Sequence, residues 1–223
     1  MRSSLPGFLM VGTFLCGAAP AAQTPNWTGS FVARVEALAV LQTLNADLLS
    51  HDSATLTLER WCDVHKLASP PKIVASRIPN IDKQPTLDQR RELGVTPEEP
   101  VRYRRVKLMC GAFVLSEADN WYVPGRLTPE MNKLLDTTDT PFGVVVRALH
   151  FQRHTLSATL LWLPLPAGWE MNAAGARNVV ADQPMPSKLL EHRAVLTLPD
   201  GTPFSEVVET YTENVLAFPI PPP

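Results

Sequence analysis

The chain contains 223 residues, of which 45% are hydrophobic and 19% are charged, and its formal net charge at pH 7 is −2. This length fits one domain, and the composition is that of an ordinary globular protein. A net charge so close to zero argues against nucleic acid as a partner, because nucleic-acid binding needs a strongly basic face. The 22 prolines, roughly twice the usual share, predict stiff loops between well-separated elements.

Residues 1–21 have the pattern of an export signal. Arg2 provides a positive charge, residues 5–18 are mostly apolar, and Ala19 and Ala21 are small residues of the kind that signal peptidase recognises. We expect cleavage after Ala21 or after the next alanine. A start codon assigned too far upstream is the alternative explanation.

After this cleavage, residues 22–218 would form a single domain and residues 219–223 a proline-rich tail. No later segment is apolar over the length of about 18 residues that a transmembrane helix requires. We therefore expect the mature chain in the periplasm or outside the cell, without a membrane span, and as a monomer.

Removal of the signal also removes Cys16 and leaves Cys62 and Cys110. In an oxidising compartment this pair could form one disulfide, but two buried thiols are an equally good interpretation because the sequence does not fix the distance between them. Cys62 and His65 are close in sequence, yet no second pair follows at zinc spacing. We therefore predict no metal site.

The first predicted element is an amphipathic helix over residues 30–50. Apolar residues from Phe31 to Leu48 recur at steps of three and four, and Ser30 is a suitable N-cap. Four shorter elements are expected after it: a half-buried strand over residues 54–59, a helical turn over 60–67, a strand over 72–78, and a helix over 87–93 inside the polar connection 79–100.

Residues 101–110 predict a strand that carries arginines on both of its faces. At period two, one face holds Tyr103, Arg105, Lys107 and Met109, and the other holds Arg102, Arg104, Val106, Leu108 and Cys110. An arginine on such a strand either extends to solvent or lies under a partially buried anion, because a buried guanidinium needs a paired charge.

The C-terminal half predicts two short helices and three strands. Thr128 and Pro129 are the N-cap and first residue of a helix that ends near Leu135. The elements after it are a short helix over 144–148, strands over 150–163, 189–198 and 203–216, and a hairpin turn at 199–202. Long strands without regular βαβ alternation indicate an α+β domain, in which helices pack on an antiparallel sheet.

Several short motifs occur in an order that resembles bacterial chorismate pyruvate-lyase. They are Leu48-Leu49-x-x-Asp52-Ser53-x-Thr55, Arg105-x-x-Leu108-x-Cys110, Gly125-Arg126, Thr140-Pro141-Phe142-Gly143, and Gly201-x-Pro203 followed by Glu209. The resemblance implies a six-stranded antiparallel sheet with helices, a buried site, and cleavage of chorismate to 4-hydroxybenzoate and pyruvate for ubiquinone synthesis, without metal or cofactor. The sensory module of UTRA-type transcription regulators shares that fold and binds small ligands without chemistry.

The resemblance also implies the residues of the site. Arg105 corresponds to the family's substrate-binding arginine, and a guanidinium can hold one carboxylate of a dianion. Glu209 corresponds to the family's site glutamate, which would donate or accept a proton during cleavage. Glu206 is the alternative to Glu209, because the correspondence requires one inserted residue after Pro203.

Three further residues match positions that contact substrate in the family or supply a second cation. Phe142 replaces a leucine, Ala54 replaces a methionine, and Arg126 is a candidate second cation. Each also has an ordinary structural explanation: core packing for Phe142, and a loop position before a helix for Arg126. The missing side chain at Ala54 changes the expected shape of the pocket.

The export signal separates this chain from cytoplasmic lyases and leaves three hypotheses. The first is a lyase that acts on chorismate or a related enolpyruvyl aromatic precursor outside the cytoplasm. The second is an exported binding module for a small aromatic carboxylate, without turnover. The third is an interaction protein that uses only the scaffold. Arg105 and Glu209 favour the first two hypotheses over the third, and the signal and Ala54 favour the second over the first.

Overall fold

The protein is an α+β domain, seen in a computed structural model that describes residues 26–172, 174–175 and 184–219. One six-stranded antiparallel sheet has the order β1-β2-β3-β6-β5-β4. The strands are β1 Ile73–Arg77, β2 Arg102–Cys110, β3 Phe113–Tyr122, β4 Gln152–Leu160, β5 Lys188–Thr197 and β6 Pro203–Thr212. The helices are α1 Phe31–Leu49, α2 Ala54–Val64, α3 Leu87–Glu92, α4 Pro129–Thr137 and α5 Phe142–Val145, with 3₁₀ turns at Pro124–Arg126, Val146–Leu149 and Glu213–Leu216. The predicted fold class is therefore confirmed.

Helix α1 forms where the apolar periodicity predicted it. The Ser30 hydroxyl accepts a hydrogen bond from the Ala33 amide at 3.1 Å and so caps the first turn. The apolar face of the helix, which includes Leu41, Leu44 and Leu48, is fully buried in the main core. This core lies between the sheet and the helices α1 and α2, which contact each other.

The strand predicted over residues 54–59 is wrong, because this segment begins helix α2. The Ser53 hydroxyl accepts from the Leu56 amide at 3.4 Å, and the buried Ala54, Leu58 and Trp61 follow the three- and four-residue steps of a helix. Alternation of apolar residues favours a strand, but the buried face of this segment includes Thr55 and Thr57, whereas Leu56 is only half-buried.

Strand β2 separates its residues by face as the alternation predicted. Arg104, Val106, Leu108 and Cys110 are buried on the face covered by helices, whereas the residues between them are only half-buried. The hairpin between β5 and β6 also forms as predicted, with Gly201 at φ 86° in the turn. The main core therefore lies on the helix-covered face of the sheet, and a smaller buried cluster around Trp121 lies on the other face.

A disulfide joins Cys62 of α2 to Cys110 at the end of β2. Both residues are fully buried, so the bond lies inside the main core. This observation decides between the disulfide and the two free thiols that the sequence left open.

In the part of the chain that the structure describes, no helix combines the length and apolarity needed to cross a membrane. The predicted export signal and residues 220–223 of the tail lie outside the described residues.

Replacing both cysteines by alanine should lower the free energy of unfolding by about 3 kcal/mol, because the disulfide closes a long loop in the unfolded chain. The cysteines are 48 positions apart in sequence. Urea unfolding of the oxidised protein, the reduced protein and the double variant measures this effect. The reduced wild-type protein should unfold near the midpoint of the variant, and coincident midpoints for all three samples would contradict the prediction.

Candidate functional site

A cavity with about 510 Å³ of empty space, part of it open to solvent, lies between the helix-covered face of the sheet and the N-terminal ends of α2 and α5. Its walls are mostly apolar and come from several strands and helices. The lining residues are Asp52, Ser53, Ala54, Thr55, Arg104, Val106, Leu108, Ala118, Asn120, Phe142, Gly143, Phe151, Arg153, Leu196, Val207 and Glu209. Apolar walls with a few convergent polar groups are typical of a small-molecule site.

Arg104 brings a buried cation to this cavity, and none of the described carboxylates forms an ion pair with it, although Asp139 and Asp136 act on it from a distance. The residue is 6% exposed, and its Nη2 donates to the carbonyl oxygens of Thr140 at 3.1 Å and Thr138 at 3.5 Å. Its Nε and Nη1 are buried and have no hydrogen-bond partner among the described residues. Burial, followed by the nearby charge of Arg77, lowers the pKa of Arg104 to about 10. The cavity therefore contains two N–H donors of Arg104 without an acceptor, together with the positive charge of the same guanidinium.

Glu209 reaches the same cavity but is already paired. Its Oε2 accepts from the Arg153 guanidinium at 2.6 Å and from the Tyr211 hydroxyl at 3.2 Å. The side chains of Arg153 and Glu209 are 5% and 7% exposed. Burial lowers the pKa of Arg153, but the Glu209 carboxylate more than offsets this effect, so the pKa is raised overall. This pair is a closed ion pair at the cavity wall.

The buried charges of the cavity sum to one positive charge. Arg153 and Glu209 cancel each other, and Arg104 is left over. Asp52 also lines the cavity, but it is solvent-exposed, and its Oδ1 accepts from the Arg153 amide at 2.9 Å. Helix α2 begins at Ala54 and directs the positive end of its dipole toward the same space.

The structure places Arg105 on the opposite face of the sheet, away from the cavity. Its Nη2 lies 3.2 Å from Glu117 Oε2, and its Nε lies 3.6 Å from Asp119 Oδ1. The reason is the alternation of side chains along β2, which sends Arg104 inward and Arg105 outward. The structure therefore does not bring Arg105 and Glu209 together, and the neighbouring Arg104 occupies the place proposed for Arg105.

Of the other predicted site residues, Ala54, Phe142 and Glu209 line the cavity together. Arg126 does not. Its guanidinium donates to main-chain carbonyls, including that of Gly94 at 3.1 Å, and to Glu99 Oε1 at 3.1 Å. These contacts assign Arg126 to the support of a loop.

Glu206 also points away from the cavity. It is fully buried on the outer face of the sheet, where its Oε1 accepts from Arg193 Nε at 2.7 Å and from Gln89 Nε2 at 3.3 Å. Strand neighbours of odd separation face opposite sides, so only one of Glu206 and Glu209 could reach the site. The structure assigns that position to Glu209.

Sequence reasoning missed three polar residues of the cavity: Arg104, Asn120 and Arg153. For Arg104 the signal was available, because it shares a face with Val106 and Leu108, which are the apolar residues of the strand. Arg153 and Asn120 gave no local signal, since their partners come from strands distant in sequence. Among the described residues, no group of three or more His, Cys, Asp and Glu side chains is placed to hold a metal ion.

His192 lies next to the ion pair and is buried in the neutral form. It faces Glu209 across β5 and β6, and its Nε2 lies 2.8 Å from Asn45 Oδ1 of α1. Its ring packs edge-on against Tyr211. Burial lowers the pKa of His192 to about 4, with Glu209 acting against this shift and Arg153 adding to it.

Comparison with known proteins shows one family relationship. The uncharacterized protein y4mC of Sinorhizobium fredii (strain NBRC 101917 / NGR234) is 58% identical over 197 residues, which are 88% of this chain and 83% of y4mC. The chain belongs to the y4mC family. No protein-family model matches the sequence.

Solved structures with a similar chain path include transcriptional regulators. PhnF of Mycobacterium smegmatis is 13% identical with a TM-score of 0.47, over 77% of this chain and 69% of PhnF. YydK of Bacillus subtilis, a possible transcriptional regulator, is 15% identical with a TM-score of 0.40, over 68% of this chain and 62% of YydK. Because y4mC is uncharacterized, this family relationship does not confirm the resemblance to chorismate pyruvate-lyase.

Acidification should destabilise the protein through His192. Its folded-state pKa of about 4 lies below the unfolded value of about 6.5, so the unfolded chain takes up the proton first and stability falls as pH drops below 6.5. Between pH 7 and pH 4, this group should remove roughly 3 kcal/mol of unfolding free energy. The control is His192→Gln, which keeps a donor for Asn45 but does not titrate. Parallel pH profiles of unfolding free energy for the two proteins would contradict the prediction.

The two cavity arginines should respond oppositely to substitution by methionine. Arg153→Met leaves Glu209 buried with the Tyr211 hydrogen bond but without a counterion, and should lower the unfolding free energy by about 3–5 kcal/mol. Arg104→Met removes an uncompensated charge, so the ligand-free protein should keep its stability or gain some. Urea unfolding of both variants without ligand tests this contrast, and equal losses would show that Arg104 is compensated in the folded protein.

Proposed function

We propose that the protein is a binding module for a small organic anion, with one carboxylate that pairs with Arg104 and an apolar body that fills the cavity. The observation that carries this proposal is the buried guanidinium, whose Nε and Nη1 have no partner among the described residues. Keeping a buried cation without a counterion costs several kcal/mol, and an anionic ligand removes that cost on binding. Few structural roles require such an arrangement.

The charge balance favours a monoanion. Arg104 leaves one uncompensated positive charge, because Arg153 is already paired with Glu209 at 2.6 Å. A monocarboxylate neutralises this charge, whereas a dianion such as chorismate would bury a second carboxylate without a dedicated cation. Apolar walls that include Phe142, Phe151 and Val207 suit an aromatic or other apolar body. An aromatic monocarboxylate therefore fits the cavity better than chorismate does.

The contacts of Glu209 favour binding over chemistry. Arg153 and Tyr211 both donate to its Oε2, so this oxygen is already engaged in the cavity wall and is not free to contact a substrate. Cleavage of chorismate remains a second candidate function for one specific reason: Glu209, Ala54 and Phe142 line one cavity, as the family resemblance implies. In that case Arg104 replaces Arg105 as the carboxylate-binding residue.

The compartment that we propose for the protein follows from the predicted export signal and the disulfide. We place the mature domain, residues 22–218, in the periplasm or outside the cell as a monomer. The buried Cys62–Cys110 disulfide supports an oxidising compartment, since such bonds are rare in the cytosol. The ligand would then be met outside the cytoplasm.

Binding should depend on Arg104 and not on Arg105. The probes are benzoate and 4-hydroxybenzoate, with benzamide as the neutral counterpart, and affinity is measured by calorimetry. Loss of a charged hydrogen-bonding contact worth about 3 kcal/mol should weaken carboxylate binding roughly 100-fold in Arg104→Gln. Arg105→Gln removes the same charge from the adjacent residue on the outer face and is the matched control. Equal affinities in the two variants would exclude Arg104 as the anion site.

The same proteins separate binding from turnover. Incubation with chorismate should release neither 4-hydroxybenzoate nor pyruvate if the chain is a binding module. Release of both products in equal amounts by the wild-type protein and by Arg105→Gln, but not by Arg104→Gln, would establish the lyase instead.

A further inference from the structure

The anion site contains a second donor, Asn120, directly across from Arg104. The two residues are opposite partners in the antiparallel pairing of β2 and β3, so both side chains leave the same face of the sheet. Opposite partners have Cβ atoms about 5 Å apart, which is close enough for both side chains to contact one carboxylate. Asn120 is 4% exposed and lines the same cavity as Arg104.

A buried serine contacts one end of the Asn120 amide. The Ser205 hydroxyl, on β6, donates to Asn120 Oδ1 at 2.5 Å. Ser205 is fully buried. With the oxygen of the amide engaged in this way, the Nδ2 group is left as a donor, and it makes no hydrogen bond to another described residue. In this arrangement the amide presents its donor end to the cavity.

We propose that Asn120 is a specificity-determining residue that donates to the ligand beside Arg104, and that Ser205 is its positioning residue. This inference rests on the proposed function and deepens it. A site with donors from both side chains accepts the two oxygens of a carboxylate. It rejects a primary amide, because one end of an amide is itself a donor and would face Asn120 Nδ2. The site thus takes carboxylates and excludes neutral amides of the same shape.

Asn120→Asp tests the placement of Asn120 without any ligand. The new carboxylate would keep the hydrogen bond from Ser205 and provide the counterion that Arg104 lacks. The ligand-free melting temperature should therefore rise, by about 3 °C for a chain of this size. A melting temperature below that of the wild-type protein would overturn the proposal, because it would mean that the side chain faces no uncompensated cation.

Asn132→Asp is the matched control for this substitution. Asn132 Nδ2 already donates to the carbonyl oxygens of Pro124 at 2.9 Å and Thr128 at 3.1 Å. The same change in charge there removes both donors and places a carboxylate against two carbonyls. It should lower the melting temperature, in contrast to Asn120→Asp.

The second experiment measures ligand binding, with benzoate and benzamide as probes. Benzoate should stabilise the wild-type protein and fail to stabilise Asn120→Asp, whose own carboxylate occupies the site. In Ser205→Ala the amide of Asn120 can turn, so the preference for benzoate over benzamide should fall about tenfold. An unchanged preference would overturn the role of Ser205. If the wild-type protein does not bind benzoate, the proposed function fails, while the ligand-free comparison of Asn120→Asp with Asn132→Asp still decides whether Asn120 faces Arg104.

Discussion

A guanidinium in an apolar cavity without a carboxylate raises the free energy of the folded state, and the surrounding fold must offset that cost. Arg104 lies on β2, which is paired with β1 on one side and β3 on the other. The backbone therefore cannot move to release the side chain to solvent. The disulfide between Cys62 and Cys110 anchors the end of the same strand to α2. The sheet and the core beneath the helices thus hold the charge where a ligand can reach it.

The two arginines of the cavity have different consequences for the molecule. Arg153 is satisfied in the folded protein by Glu209, and Glu209 is held in turn by Tyr211. This arrangement makes the pair a rigid part of the wall, because breaking it would leave a buried charge. Arg104 has only main-chain carbonyls on one nitrogen. In the proposed function, the ligand gains its electrostatic energy at Arg104 and meets a preformed surface at the ion pair.

Local signals predicted much of the fold but only part of the site. The Ser30 cap and the hairpin turn at Gly201 act over a few residues, so they were readable in the sequence. Helix α2 was not, because its apolar residues alternate as in a strand, while its buried face includes Thr55 and Thr57, which an apolar pattern does not mark. Glu209 followed from a family resemblance, whereas Arg153 depends on the register of β4, β5 and β6, which no short pattern records. Arg104 and Arg105 differ by one position, and only the apolar partners on each face distinguish them.

The motif Thr140-Pro141-Phe142-Gly143 shows how one short segment joins the support of the site to its shape. The Thr140 carbonyl accepts from Arg104 Nη2 at 3.1 Å, and Phe142 forms part of the apolar wall. A Cβ on Gly143 would lie 3.3 Å from Ser53 Oγ, the oxygen that caps α2. A side chain at this position would therefore press against the cap at the start of α2 and move that helix end away from the cavity. The absence of a side chain lets α5 approach α2 closely, so the positive end of the α2 dipole and the Arg104 guanidinium converge on the same space.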